Sequence, residues 1–232
     1  MTTIKDVREL VAPLVKKRGD LHWFDRYLVR VPIRTGFAAI FFERSGDPDS
    51  FYPYLIALPL CSMSPRMPPP QGLWRMRPIA APKPGAPRRA PWRKSDPDYP
   101  EALREAIESE FLPPLERLQT IRDFFDWVAA LGGFEDSDHL EHRMFVEIAY
   151  GDFDAAALHA TKDFWSLSRK ACNEWQTGLG DRLVEQGDAL SIDDKQALIA
   201  MLHRWEEDAI RALKLEKHWE RTPFPAEEKG LV

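Results

Sequence analysis

The sequence contains little cysteine, little glycine and no long apolar run. Its 232 residues include only 2 cysteines, Cys61 and Cys172, and 12 glycines. One cysteine in each half makes neither a disulfide framework nor a zinc site, so we expect two reduced, buried thiols in a cytoplasmic protein. No apolar run approaches the roughly 20 residues that a membrane span needs, and the first residues lack the pattern of a secretion signal. We therefore expect no contact with a membrane.

Motifs for nucleophilic catalysis and for phosphate binding are absent as well. The chain has no G-x-S-x-G sequence and no glycine-rich loop that could surround a phosphate. Cys61 follows an apolar strand, a setting that disfavours an activated thiolate. We predict no catalytic, cofactor-binding or metal-ligating residue and no cofactor, so an enzyme is the less favoured class.

The composition is that of a folded protein whose charge is unevenly distributed. Apolar residues make up 44% of the chain and charged residues 30%, with a formal net charge of -5. Residues 1–63 carry a balance of +2, residues 64–100 a balance of +6, and residues 101–232 a balance of -13. Opposite fields of this kind can steer association with a charged partner.

The first 63 residues predict a helix followed by an antiparallel meander. Apolar residues from Ile4 to Val15 recur at helical spacing and stop before Gly19. Residues 23–33 alternate with a period of two, and residues 37–42 and 51–60 form two further apolar runs, so we predict three strands. Pro53 and Pro59 cannot donate to a ladder, which predicts that the third strand is bulged or lies at an edge.

Residues 64–100 include 11 prolines, which excludes regular helix over most of this basic stretch. A short strand is predicted at residues 73–79. The rest of the chain predicts helices: residues 102–118 with an interruption at Pro113 and Pro114, one opened by Thr120, one beginning near Asp136, one over residues 152–175, and the longest from Ser191.

These patterns define the fold class as α+β, with an N-terminal helix and β-meander, a proline-rich insertion and C-terminal helical hairpins. The predicted regions are 1–63, 64–100 and an acidic all-helical region at 101–232. Of the 8 tryptophans, four are predicted to be core residues and four to reach the surface. The core group is Trp127, Trp165, Trp175 and Trp205, and the surface group is Trp23, Trp74, Trp92 and Trp219.

One cluster of residues could bind a metal. His139 and His142 lie three positions apart on a predicted helix, amid Asp136, Asp138, Glu141 and Glu147. The spacing is not that of His-Glu-x-x-His, so acids that favour the dipole at a helix N-terminus are the preferred explanation. A metal-dependent enzyme that uses this cluster stays an alternative.

The proline-rich stretch is the second candidate site, because cations are interleaved there with aromatic side chains. That combination suits single-stranded nucleic acid, but the acidic remainder would repel phosphate. A nucleic-acid binder is therefore an alternative, and a protein partner is favoured. The residues predicted to bind this partner are Arg75, Arg77, Arg88, Arg89, Trp92 and Arg93 on the basic stretch, and Glu206, Glu207 and Asp208 on the last long helix.

The order of elements resembles a group of bacterial α+β domains found among immunity proteins of polymorphic toxin systems. The resemblance rests on short sequences: Lys16-Lys17-Arg18-Gly19, Phe24-Asp25-Arg26-Tyr27, Ile40-Phe41-Phe42-Glu43, Pro59-Leu60 and Phe111-Leu112-Pro113-Pro114-Leu115. It implies a helix and meander followed by helices, and a function by stoichiometric binding without chemistry. We therefore expect a non-enzymatic cytoplasmic protein-binding module, an immunity or adaptor protein that neutralises a partner through complementary charge.

Overall fold

The computed structural model describes residues 4–63, 77–78, 91–130, 136–159 and 194–232, without the side chains of residues 4, 77–78, 128–129 and 136–142. The α+β fold class is confirmed, because a helix and an antiparallel sheet precede a series of helices. The described residues form two compact units. The sheet unit comprises those within 1–33, 37–57 and 75–119, and the helical unit those within 34–36, 58–74 and 120–232.

The chain begins with the predicted helix, α1 (Ile4–Lys17). The helix buries one face on the sheet unit, because its apolar residues recur every three or four positions. Its last turn is closed by a hydrogen bond from the Arg18 amide to the Leu14 carbonyl, 2.8 Å from N to O. The buried side chains are Val7, Leu10, Val11 and Leu14.

The prediction of a single strand over residues 23–33 is wrong, because this stretch turns back on itself. It contributes to two antiparallel strands, β1 (Leu21–Phe24) and β2 (Tyr27–Arg30), in which Phe24 pairs with Tyr27. The two-residue turn includes Asp25 at a φ of 47°. Aspartate adopts this left-handed conformation more readily than most residues, so a tight turn forms without glycine.

The next two strands match their predicted runs. They are β3 (Gly36–Arg44) and β4 (Ser50–Pro59), and they precede two short strands, β5 (Arg77–Pro78) and β6 (Trp92–Arg93). The sheet order is β1-β2-β3-β4-β5, and β6 also pairs with β4.

The third apolar run, predicted to be bulged or to lie at an edge, therefore does not lie at an edge. One side of β4 faces β3, and the other pairs with β6 at Ser50 and Phe51 and with β5 at Tyr54 and Leu55. Pro53 falls between those two short pairings, where a missing N–H costs little.

Aromatic rings fill the core of the sheet unit. Tyr27 meets Phe41 at 5.1 Å and Phe37 at 5.7 Å between ring centroids, the second edge to face. Phe42 and Phe51 lie 6.3 Å apart. Such pairs add to the free energy of burying apolar area, so this unit is held mainly by apolar packing.

The sheet unit continues through a helix of mixed hydrogen-bond pattern. It consists of α2 (Tyr99–Ala106), a π-helical turn (Ile107–Phe111) and α3 (Leu112–Glu116). Pro113 and Pro114 lie in the first turn of α3, where proline is tolerated because the N–H would be unsatisfied. The predicted interruption at these prolines is thus a helix start that follows a π turn.

The helical unit contains a 3₁₀ turn (Leu60–Ser62), α4 (Ile121–Ala130), α5 (Asp136–Tyr150), α6 (residues 153–159), α7 (Lys195–Leu213), a second 3₁₀ turn (Glu216–His218) and α8 (Pro225–Glu228). Thr120 opens α4 as predicted: its Oγ1 accepts from the Asp123 amide while the Asp123 carboxylate accepts from the Thr120 amide. The start of α7 differs from the expected Ser191, because Asp194 is its cap and accepts from the Ala197 amide.

The core of the helical unit collects apolar side chains from α5, α7 and α8 around the Leu60–Ser62 turn. Cys61 is fully buried among them, in agreement with the expected burial of that thiol, whereas Cys172 lies outside the described residues. None of the helices in the described parts of the chain is long and apolar enough to cross a membrane.

Candidate functional site

The basic residues predicted to bind a partner fall mostly outside the described part of the chain. This is so for Arg75, Arg88 and Arg89 and for the side chain of Arg77. Arg93 is exposed on β6. Trp92 is only 2% exposed and pairs with Phe51 on β4, so the expectation that it reaches the surface is wrong. Its ring completes the apolar core beside β4.

The acidic residues predicted for the same role are partnered within the protein. Glu206 is 1% exposed, so its selection as a surface charge is wrong. Glu207 lies 3.5 Å from Arg221, and Asp208 lies 2.9 Å from Arg211. These contacts reduce the net field that α7 offers to a partner.

The tryptophan predictions hold for Trp205, which is 3% exposed, whereas Trp74, Trp165 and Trp175 lie outside the described residues.

The proposed metal cluster cannot be assembled from described side chains. Residues 136–142 lie on α5, but their side chains are outside the description, and only Glu147 remains. Glu147 contacts Arg143 at 3.2 Å and His159 at 3.3 Å, and burial raises its pKa. Among the described side chains, no group of three or more His, Cys, Asp or Glu residues is placed to hold a metal ion.

A groove in the sheet unit is the principal candidate for a binding site. It has a volume of about 670 Å³ and is open to solvent. One wall is the last half of α1, and the other is α2 with the π turn. Its lining residues are Pro13, Leu14, Lys17, Glu101, Arg104, Glu105, Glu108 and Ser109.

Proline placement explains the π turn in the second wall. Pro113 and Pro114 cannot donate to the carbonyls four residues earlier, so the usual α-helical bonds cannot form there. The Leu112 amide bonds instead to the Ile107 carbonyl, five residues back. Ser109 Oγ donates to the Glu105 carbonyl at 2.7 Å. Single π turns within α-helices often accompany functional sites, because they change the direction of the neighbouring side chains.

The groove is lined by three carboxylates and two cations, so its net charge is weakly acidic. Glu101 and Glu105 are exposed one helical turn apart on α2. At one end Lys17 Nζ meets Glu108 Oε1 at 2.7 Å. On the same wall Arg104 donates to the Pro100 carbonyl at 3.1 Å. Leu14 supplies an apolar floor, since it is 3% exposed. The groove thus combines an apolar base with the carboxylates of Glu101 and Glu105, which form no ion pair with a described residue although Arg104 lies on the same wall.

A buried histidine in the helical unit is the most polar feature of the core. Its Nδ1 lies 3.0 Å from Glu206 Oε2, and its Nε2 lies 2.8 Å from Glu227 Oε2. This residue, His203, is 3% exposed and stacks on Phe224 with ring centroids 4.4 Å apart. Glu227 Oε2 also accepts from the Phe224 amide at 2.6 Å. We call His203, Glu206 and Glu227 the histidine cluster.

The pKa values in the histidine cluster are displaced by burial and by mutual contact. Burial raises the pKa of Glu206 to about 7, because removal from water penalises the carboxylate. Burial would lower the pKa of His203, but the hydrogen bonds to Glu206 and Glu227 raise it above its ordinary value. The cluster therefore holds protons near neutral pH that the separate groups would release.

The chemistry available to this cluster is proton uptake and release. Both ring nitrogens are occupied by carboxylates on opposite sides of the ring, which prevents a single ion from touching all three residues. Glu206 Oε1 is buried with no hydrogen-bond partner among the described residues. A carboxyl group that lacks a partner for one oxygen is more readily kept neutral, in agreement with its raised pKa.

Comparison with known proteins identifies no relative: no protein-family model, curated protein or solved structure matches the chain. The groove and the histidine cluster thus stand on their own geometry. Sequence reasoning missed both, although helical spacing carried a signal for the second. Glu206 lies four residues after Leu202 and four before Ile210, on the apolar stripe of α7.

Proposed function

We propose that this chain is a non-enzymatic, cytoplasmic protein-binding module of the immunity or adaptor kind, which acts by forming a stoichiometric complex. The observation that carries the proposal is the open, acidic groove between α1 and α2. The resemblance to immunity proteins of polymorphic toxin systems supports the same class of function.

The shape of the groove favours a protein segment over a small molecule. Small-molecule sites enclose most of the ligand surface, whereas this groove of about 670 Å³ is open along its side. An open groove can receive a helix or an extended segment from a partner, whose apolar side chain would rest on Leu14 and Pro13.

The charges of the groove favour a basic partner. The exposed carboxylates of Glu101 and Glu105 form no ion pair with a described residue, so lysine or arginine side chains of a partner would find complementary charge there. Lys17 is already held by Glu108 at 2.7 Å. Rim charges of this type mainly accelerate association, so we expect binding to weaken as ionic strength rises.

Charge reversal in the groove tests this function. The full-length chain with both Glu101→Lys and Glu105→Lys is used as bait in the lysate of its native host, beside wild type. The control is Glu110→Lys, because Glu110 is exposed on the π turn that follows α2 but does not line the groove. Each bait is washed at low and at high salt, and the captured proteins are identified by mass spectrometry.

We expect one protein to be captured in stoichiometric amount by wild type and by the control. The double variant should bind it about tenfold more weakly, equivalent to about 1.4 kcal/mol. Equal capture by all three baits would exclude the groove as the binding site. Absence of any stoichiometric protein from the wild-type bait would contradict the proposed function itself.

A further inference from the structure

The helical unit contains a polar contact that ties residues 224–232 to α7. Phe224 and Ala226 are fully buried in the core of this unit. Leu231 folds back over the turn after α5, since a Cβ on Gly151 would lie 2.5 Å from Leu231 Cδ1. The 224–232 segment therefore covers apolar surface, and the histidine cluster supplies its buried polar attachment.

We propose that the histidine cluster is a pH-sensitive latch, which holds the 224–232 segment on α7 at mildly acidic pH and releases it as the pH rises. The inference concerns the helical unit alone and does not depend on the groove. Release would uncover the core residues that pack against Phe224 and Ala226.

The geometry explains why the latch needs a proton. A protonated His203 donates through both ring nitrogens, to Glu206 Oε2 at 3.0 Å and to Glu227 Oε2 at 2.8 Å. A neutral imidazole has only one N–H, so one carboxylate then faces a lone pair in a buried site. Loss of the proton thus removes a charge-assisted hydrogen bond and leaves two nearby carboxylates to repel each other.

The surroundings provide little compensation for that loss. The charged groups that act on the cluster are Glu206 on α7 itself, Glu227 on α8 and Arg221 in the connection between them. Arg221 is 54% exposed at its side chain and lies 3.5 Å from Glu207, so its charge is shared with another acid. Lys229 Nζ lies over the Tyr150 ring, 5.5 Å from its centroid.

The direction of the pH dependence follows from proton binding. Burial raises the pKa of Glu206 from 4.5 to about 7, and the pKa of His203 also lies above 6.5 in the closed state. The closed state therefore holds more protons than the open state above pH 4.5. Closure is favoured at low pH and is lost as the pH rises through the closed-state values, by about tenfold per pH unit for each proton released.

Hydrogen exchange of the full-length chain between pH 5.5 and pH 8 tests the proposal. The probes are the amides of Glu228, Lys229 and Leu231, which bond to the carbonyls of Phe224, Pro225 and Ala226. After correction for intrinsic exchange, their protection should fall about tenfold per pH unit between pH 5.5 and pH 7. Amides in the middle of α7 should change by less than about twofold.

A matched pair of variants assigns the effect to the cluster. Glu206→Gln keeps an oxygen that can accept from His203 Nδ1 but cannot titrate, so the slope should fall to less than half of the wild-type value. Asp208→Asn changes a half-buried acid of the same helix that pairs with Arg211, which does not act on the cluster, and should keep the full slope. Protection that is independent of pH in wild type, a parallel fall throughout α7, or an unchanged slope in Glu206→Gln would each overturn the latch.

Discussion

The two units of this protein manage charge in opposite ways. In the sheet unit, the described ionic contacts remain partly or fully exposed to solvent, such as Arg18 with Asp20 at 2.7 Å and with Glu116 at 2.6 Å. In the helical unit, His203 and Glu206 are 3% and 1% exposed. No other described charged or histidine side chain is buried to this degree.

The difference shows what each arrangement can contribute. Surface pairs cost little to form and add little stability, because water already solvates both partners. A buried pair adds little net stability. Removal of one partner nevertheless lowers the free energy of unfolding strongly, because the other partner remains buried without a compensating charge or hydrogen bond. The sheet unit can therefore present charge to a partner, whereas the helical unit can use charge to sense pH.

The largest effect is expected in the sheet unit, from the loss of aromatic packing. Phe37 is fully buried and meets the Tyr27 ring edge to face. Phe37→Ala should lower the free energy of unfolding by about 3–5 kcal/mol. Urea unfolding followed by circular dichroism measures this value, with the half-buried Phe24→Ala as the milder control. A loss below about 1 kcal/mol would show that apolar packing does not dominate this unit.

The matching change in the helical unit removes the histidine. His203→Ala leaves Glu206 and Glu227 without their shared partner, so we expect a loss of about 3 kcal/mol. The value lies at the low end for buried pairs because Glu206 can take up a proton. Arg211→Ala, which breaks only an exposed contact with Asp208, should cost less than about 0.5 kcal/mol. Equal losses for the two variants would remove the contrast between buried and surface charge.

Close packing around a glycine gives an intermediate effect. A Cβ on Gly36 would lie 2.4 Å from the ring of Phe124, which is itself buried. Gly36→Ala should therefore cost about 2 kcal/mol through displacement of that ring. Gly46→Ala meets nothing within 4 Å and is the control. If both variants unfold at the same urea concentration, the helical unit tolerates repacking at this position.

The smallest effect is expected from a surface ion pair. Arg18→Ala removes the contacts with Asp20 and Glu116, which are only partly screened because the Arg18 side chain is 27% exposed. We expect a loss of about 1 kcal/mol, which 1 M salt should reduce. Lys5→Ala, at a fully solvated pair with Glu9, should change the stability by less than about 0.3 kcal/mol. A loss above about 3 kcal/mol for Arg18→Ala would show that ion pairs contribute substantially to the stability of the sheet unit.

Elements with regular periodicity could be predicted from the sequence. The apolar spacing of α1, the two long strands and the Thr120 cap each express a local rule. The β1–β2 turn could not be predicted, because its residues Asp25 and Arg26 are neither glycine nor proline. The alternation of apolar and polar residues therefore continues through the turn. Pro53 favoured an edge position for β4, because proline lacks the N–H that a central strand donates. In the structure, Pro53 falls between the two short strands that pair with β4, so its missing N–H interrupts neither pairing.

The candidate sites were harder to predict because they depend on contacts distant in sequence. The groove joins Pro13 and Leu14 of α1 with Glu101 and Glu105, nearly 90 residues later. Glu206 was interpreted as a surface acid from its neighbours in sequence, although its position on the stripe of α7 indicated burial. Trp92 was assigned to the surface because prolines and cations surround it, and only its pairing with β4 reveals its place in the core.

Native mass spectrometry of the captured complex tests stoichiometric binding most directly. The wild-type chain and its captured partner are mixed at increasing ratios, and the masses of the complex and of both components are recorded. Our account predicts one complex of fixed ratio, with both chains at unchanged mass and free partner remaining whenever this chain is limiting. Conversion of the partner to a new mass by a substoichiometric amount of this chain would reveal an enzyme and contradict the account.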